Sequence, residues 1–193
     1  MNYGIDIDDT ISDSASMYIK YGHNYTKNIL KRDTMNKLEG VTSHHYLEEI
    51  FEWNKEELKE FLEIYYEYVI KNVEVKNGVV EVLNKIKEKN DNIYLITARY
   101  EMPNSNIEKE TLEWLKNNEI PFDELIMNAR NKKSICEKYN IDVFIDDSYV
   151  NCKCVSELNN KVYLMTSNTN QKIDVSNDKI ERVKDWKDFK TKI

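Results

Sequence analysis

Residues 3–12 read YGIDIDDTIS, and this stretch decides the fold. Tyr3, Ile5 and Ile7 alternate with Gly4 and Asp6, the period of a β-strand. Asp6, Asp8, Asp9 and Thr10 then crowd the point where that strand should end. Carboxylates at such density repel one another, so the arrangement needs a reason beyond secondary structure.

Further strands are predicted at 92–97 (NIYLIT), 123–127 (DELIM), 142–146 (DVFID) and 161–165 (KVYLM), with the first at 2–7 and a weaker one near Ile180 to Val183. Amphipathic helical patterns separate them. The segment 105–118 carries Ile107, Thr111, Leu112, Trp114 and Leu115; 132–139 carries Ile135, Cys136 and Tyr139; 149–159 carries Val150, Cys154, Val155 and Leu158. Strands alternating with helices predict an α/β fold, a Rossmann-like parallel sheet with helices on both faces.

The first interval breaks this rhythm, because about 84 residues lie between Ile7 and Asn92 and one crossover helix needs far fewer. Its strongest helix is 55–71, with Leu58, Phe61, Leu62, Tyr65 and Val69 in step, opened by Asn54 and by Glu57 three residues later. Two helical stretches, 13–30 and 44–52, precede it. A helix opened by Gly78, with Val79, Val82, Leu83 and Ile86 on one face, returns the chain to the sheet. The expected organisation is a catalytic core of residues 1–13 and 75–193, with 14–74 as a small helical cap inserted after the first strand.

Composition narrows the function. The chain has 193 residues and a net charge of −7, from 35 acidic against 28 basic side chains, which opposes binding of a polyanion such as nucleic acid. Nothing near Met1 resembles a signal peptide, and no run approaches the roughly 20 apolar residues of a membrane helix. Cys136, Cys152 and Cys154 are odd in number and lack zinc-site spacing; a reduced, cytoplasmic setting is expected. Cys152 and Cys154, two apart on one helix, should point in different directions.

In an open parallel sheet, ligands bind at the carboxyl ends of the strands. The polar residues expected there are Asp6, Asp8 and Thr10 after the first strand, Thr97 and Arg99 after the second, Lys132 and Lys133 ahead of the fourth, and Asp146 and Asp147 at its end. Clustered carboxylates without histidine or cysteine suit Mg²⁺. A lysine and a threonine beside them offer charge and hydrogen bonds to a phosphate.

The order DIDDT, a strand ending in Thr, a lysine, then a strand ending in DD resembles the haloacid dehalogenase superfamily of phosphohydrolases. IYLITAR, TLEWLKNNEIPFDELI and KKSICEKYNIDVFIDDS are similar to the 5'(3')-deoxyribonucleotidases and their bacterial relatives. The resemblance implies Asp6 as the nucleophile and Asp8 as the general acid and base. It implies Mg²⁺ held by Asp6, Asp147 and the Asp8 main-chain carbonyl, with Thr97 and Lys132 binding phosphate. Thr10, Asp146 and Arg99 would support these groups. Lys133 is the alternative to Lys132, and Asp9 stands where the wider superfamily often has glycine; a solvated turn is expected for it.

The implied activity is phosphomonoester hydrolysis through an aspartyl-phosphate, with a (deoxy)nucleoside monophosphate as substrate. The cap aromatics favour that substrate, and His44, His45 and Tyr46 are its candidate contacts. A phosphosugar or another small phosphate ester is the alternative substrate. A receiver-type phosphoacceptor domain is a third reading, disfavoured because its phosphorylated Asp would stand on an internal strand.

Overall fold

The computed structural model describes residues 1–33, 46–103, 105–176 and 178–193. Six strands form one parallel sheet in the order β3-β2-β1-β4-β5-β6. They are β1 (Asn2–Ile5), β2 (Asn92–Ile96), β3 (Glu124–Ile126), β4 (Val143–Asp146), β5 (Lys161–Met165) and β6 (Glu181–Val183). Eight helices are present among the described residues: α1 (Ser14–Asn28), α2 (Tyr46–Phe51), α3 (Lys55–Asn72), α4 (Val79–Glu88), α5 (Ile107–Asn117), α6 (Lys132–Lys138), α7 (Tyr149–Val155) and α8 (Trp186–Lys190).

Alternation along the strands creates two cores. Tyr3, Ile5, Leu95, Val143, Ile145 and Met165 meet Val79, Leu83 and Ile86 of α4, Trp114 of α5, and Trp186 and Phe189 of α8. Ile96, Phe144, Val162 and Leu164 face the other way, against Cys136 of α6 and Cys152 and Val155 of α7. Gly4 allows the second face to close, since a Cβ there would stand 2.9 Å from Ile96 Cδ1 and 3.0 Å from Ile141 Cγ2. Both faces are therefore covered, as a parallel sheet requires.

A third core lies among the helices between β1 and α4. Tyr18 and Tyr25 of α1, Leu47, Ile50 and Phe51 of α2, and Phe61 and Val69 of α3 bury one another with Trp53. The Trp53 indole donates to Thr26 Oγ1 at 2.9 Å, so its polar edge is satisfied inside this core. At α3, Asn54 Oδ1 accepts from Glu57 N–H and Glu57 Oε2 accepts from Asn54 N–H, a complete capping box. The chain leaves and re-enters the sheet region through two paired segments: Asp13 N–H donates to Glu74 O, and Lys76 N–H to Ile11 O.

Several expectations shift at their edges. β1 stops at Ile5 instead of Ile7, because the Ile7 carbonyl is drawn into a turn, accepting from Thr10, Ile11 and Ser12 N–H groups. α7 ends at Val155, well short of 159. Leu112 and Val150, expected on buried helix faces, are exposed. The sequence reading missed α8, whose five residues are too few to show a helical period. Cys152 and Cys154 point apart, as their spacing predicts, but it is Cys152 that is buried and Cys154, expected on the apolar face of this helix, that is exposed; all three thiols are free. No helix among the described residues is long and apolar enough to cross a membrane.

Candidate active site

β1 lies between β2 and β4, at the point where connections depart to opposite sides of the sheet. The backbone N–H of Asp6 still donates to Ile145 O at 3.0 Å, extending the β1–β4 pairing one residue beyond the strand. Asp6 is thereby fixed at the mouth of the sheet. The turn that follows places Asp9 in the left-handed region, φ 59°, which Asp tolerates better than most side chains.

Buried Lys132, at the start of α6, donates from Nζ to Asp6 Oδ1 at 2.6 Å and to the Ile96 carbonyl, and its ammonium stands 3.8 Å from Asp146 Oδ2. Thr10 Oγ1 donates to Asp6 Oδ2 at 3.3 Å and accepts from Asp147 N–H at 3.0 Å, tying the β1 and β4 loops together. Lys133 instead points to the surface and pairs with Glu157. The geometry separates two adjacent lysines that sequence alone left as alternatives.

Asp146 and Asp147 also divide. Asp146 Oδ1 accepts from Ser148 N–H at 2.7 Å and Oδ2 from Asn151 Nδ2 at 3.0 Å. The Asp147 carboxylate accepts no hydrogen bond from a described residue, although its backbone is held by Thr10 and by Asn170 Nδ2 at 2.7 Å from Asp147 O. Carboxylate oxygens of Asp6, Asp146 and Asp147 lie within 4.8 Å of one another. Burial, opposed by Lys132 and reinforced by Asp146 and Asp8, pushes Asp6 up to about 7. Burial and then the charges of Asp9, Asp146 and Asp6 push Asp147 well above the usual carboxylate range. An all-oxygen donor set with such mutual repulsion fits a hard divalent cation.

Asp8 has a different environment. Arg99 holds it with two parallel hydrogen bonds, Nε to Oδ2 at 2.9 Å and Nη2 to Oδ1 at 2.8 Å, and Ser14 Oγ donates to Oδ1 at 2.6 Å. Burial alone would raise this carboxyl; the Arg99 charge and these donors outweigh it and hold Asp8 below the usual range. Arg99 is itself buried, with Nη1 near Thr111 Oγ1 at 3.3 Å and its guanidinium 5.5 Å from the Trp114 ring.

A cavity of about 230 Å³ joins these groups, lined by Asp6, Asp8, Asp147 and Lys132 on the sheet side and by Tyr18 and Tyr46 from the helices. Thr97 is fully buried, its oxygen accepting from Arg99 N–H at 3.2 Å, while its neighbour Ala98 lines the cavity. Tyr46 is thus brought to the site; His44 and His45 lie outside the described residues. Asp9 is not the solvated turn residue expected: it lines the cavity, and Oδ1 accepts from Ala15 N–H at 2.8 Å. Tyr18 and Asp9 were missed as site residues. The tyrosine was one of many in a helical stripe, and only the docking of α1 over β1 picks it out.

Comparison with known proteins finds relatives by sequence and by fold. The profile of the haloacid dehalogenase-like hydrolases matches residues 5–120. A nucleotidase from Clostridium acetobutylicum is 30% identical over 174 residues, 89% of this chain and 83% of its own. A putative nucleotidase from Halalkalibacterium halodurans is 26% identical, over 80% of this chain and 73% of its own. Among solved structures, a putative beta-phosphoglucomutase from Thermotoga maritima superposes with TM-score 0.69 at 18% identity, covering 98% and 97% of the two chains. The match of the profile through β1, the intervening helices and β2, with the relative's identity across most of the chain, makes this protein a member of the haloacid dehalogenase-like hydrolases.

Proposed function

We propose that this hydrolase is a Mg²⁺-dependent phosphomonoesterase that works through an aspartyl-phosphate on Asp6, and that its substrates are nucleoside monophosphates. The observation that carries the reading is the contrast between two aspartates in one turn: Asp6 beside Lys132 and the carboxylate cluster, Asp8 gripped by Arg99 and Ser14. The names of the two relatives, a nucleotidase and a putative nucleotidase, support the substrate class.

An Asp6 oxygen attacks phosphorus and the bond from phosphorus to the leaving oxygen breaks. Asp8, held ionised in the free enzyme, takes a proton from solvent as the anionic substrate enters and gives it to that oxygen. Asp8 then removes a proton from water, the water oxygen attacks phosphorus, and the bond to Asp6 breaks, releasing inorganic phosphate and the free Asp6 carboxylate; Asp8 returns its proton to solvent as phosphate leaves. Lys132 and the Thr97 hydroxyl, whose proton goes to no described residue, receive the non-bridging oxygens. Mg²⁺, held by Asp6, Asp147 and the Asp8 carbonyl, would neutralise charge on the phosphoryl group. Residues 14–74 act as a cap whose Tyr18 and Tyr46 close over the site, and the three free thiols fit a reducing cytoplasm.

Multiple turnover of p-nitrophenyl phosphate, lost in Asp6→Asn by more than about a thousandfold and lost with EDTA, is the expected result. A panel of nucleoside monophosphates and phosphosugars then fixes the substrate. A full rate in EDTA would remove Mg²⁺ from the reading, and a phosphosugar as best substrate would remove the nucleotide.

A further inference from the structure

The 230 Å³ of the catalytic cavity falls below the roughly 300–1,000 Å³ of pockets that enclose a whole small-molecule ligand. The leaving group must extend beyond it. Its direction follows from Asp8, since the group that protonates the leaving oxygen stands on that side. On that side stands Arg99, which grips Asp8, and the next residue, Tyr100, donates its N–H to the hydroxyl of Tyr66 of α3 at 3.3 Å. The Tyr66 and Tyr100 rings lie 5.8 Å apart.

Tyr100 opens onto a second cavity of about 500 Å³, whose other walls are Glu101, Glu108, Met127, Asn128 and Arg130. The chain links the two spaces twice. Ala98 lines the first and Tyr100 the second; Lys132 lines the first and Arg130 the second. The Arg130 guanidinium lies over the Tyr100 ring at 5.3 Å and makes no ion pair with a described residue. Glu101 is committed to the start of α5, accepting from Ile107 and Glu108 N–H. With one guanidinium facing two carboxylates, the cavity suits a neutral group better than a second phosphate. A flat cationic plane on an aromatic ring, an amide at Asn128 and a carboxylate at Glu108 suit a planar ring with hydrogen-bonding edges.

We propose that this cavity at the ends of β2 and β3 seats the leaving group, with the nucleobase against Arg130 and Tyr100, so that specificity is set by the rim of the sheet as well as by the cap. This rests on the nucleotidase reading above. Arg130 touches neither the reacting phosphorus nor its ligands, and it is exposed, so its replacement leaves the fold intact.

The test compares parent, Arg130→Ala and Tyr100→Leu on a panel of nucleoside monophosphates and on acetyl phosphate, whose leaving acetate is too short to reach the second cavity. For the preferred nucleotide, KM should rise about tenfold in either variant, with kcat and KM for acetyl phosphate unchanged within about twofold. Nucleotide hydrolysis untouched by both substitutions, or equal losses on acetyl phosphate, would overturn the seat while leaving the nucleotidase reading in place. Turnover of acetyl phosphate with no nucleotide hydrolysed by the parent would overturn both.

Discussion

Arg99 grips Asp8 through two parallel hydrogen bonds of 2.9 and 2.8 Å, and both residues reach this contact from the ends of adjacent strands. A bidentate guanidinium fixes a carboxylate in direction as well as in charge. Asp8 therefore stands in one orientation before any substrate arrives, while Asp6, two residues earlier, is held by a lysine and a threonine. Two chemically identical side chains are thus given different partners and opposite shifts in pKa.

Arg99→Lys keeps the charge and removes the fork, so Asp8 should remain ionised in the free enzyme and lose its orientation. The loss of a positioned acid and base predicts a fall in kcat of about a hundredfold or more, with KM little changed. A kcat within about threefold of the parent would show that Asp8 is oriented by something else.

Lys132 and Lys133 offer a paired comparison. Lys132→Met removes the only ammonium beside Asp6 among the described residues and should cost about 100- to 1,000-fold in kcat. It should also lower stability in the metal-free protein, because it leaves buried carboxylates facing one another. Lys133→Met loses an exposed pair with Glu157, and its effect on stability should stay within about 0.5 kcal/mol, with turnover intact. Reversal of that order in steady-state kinetics would assign the other lysine to the site.

Much of this was legible from sequence because strand period and strand-end chemistry coincide in this chain. Asp6, Asp8, Lys132, Asp146 and Asp147 all stand at a strand or helix end or within three residues of one, where a sheet of this class must gather its polar groups. The capping box at Asn54 and Glu57 and the helix opened by Gly78 were equally local signals. The Arg99–Asp8 pair was not, since 91 positions separate its partners and nothing in either motif states which carboxylate the guanidinium meets. Tyr18 and the Arg130–Tyr100 stack depend on how α1 and the β3 loop dock, a property of tertiary packing alone.

Gly22 tests the core of the helical insertion. A Cβ at this position would lie 2.2 Å from Phe51 Cε2, so α1 and α2 approach as closely as they do only because the side chain is missing. Gly22→Ala should improve helix propensity by up to about 1 kcal/mol yet lose about 1–3 kcal/mol to overpacking. The net expectation is a lower melting temperature, recovered in Gly22→Ala/Phe51→Leu. A higher melting temperature in the single variant would mean that α2 does not pack against α1 in solution.

Metal and pH should act together on stability. In the metal-free protein the folded-state pKa of Asp6 is about 7, and those of Asp146 and Asp147 are raised, against an ordinary aspartate value near 3.8. Above the ordinary value the native state holds protons that the unfolded chain releases, so stability falls as pH rises from about 4, and Asp6 contributes its full penalty once the pH has passed about 7. Asp8 runs oppositely, its lowered pKa adding stability above the ordinary carboxylate range that is lost on acidification. Its contribution lies in a lower window and is common to both forms of the protein, so it cancels in the comparison. Mg²⁺ held by the ionised cluster would stabilise the protein by its preference for the folded state, but at low pH it would first have to displace protons. The rise in melting temperature on adding Mg²⁺, measured by calorimetry, should accordingly be larger at pH 8 than at pH 5 and should be greatly reduced in Asp147→Asn at both. Equal shifts at the two pH values, or shifts that survive Asp147→Asn, would place the cation somewhere other than among Asp6, Asp146 and Asp147.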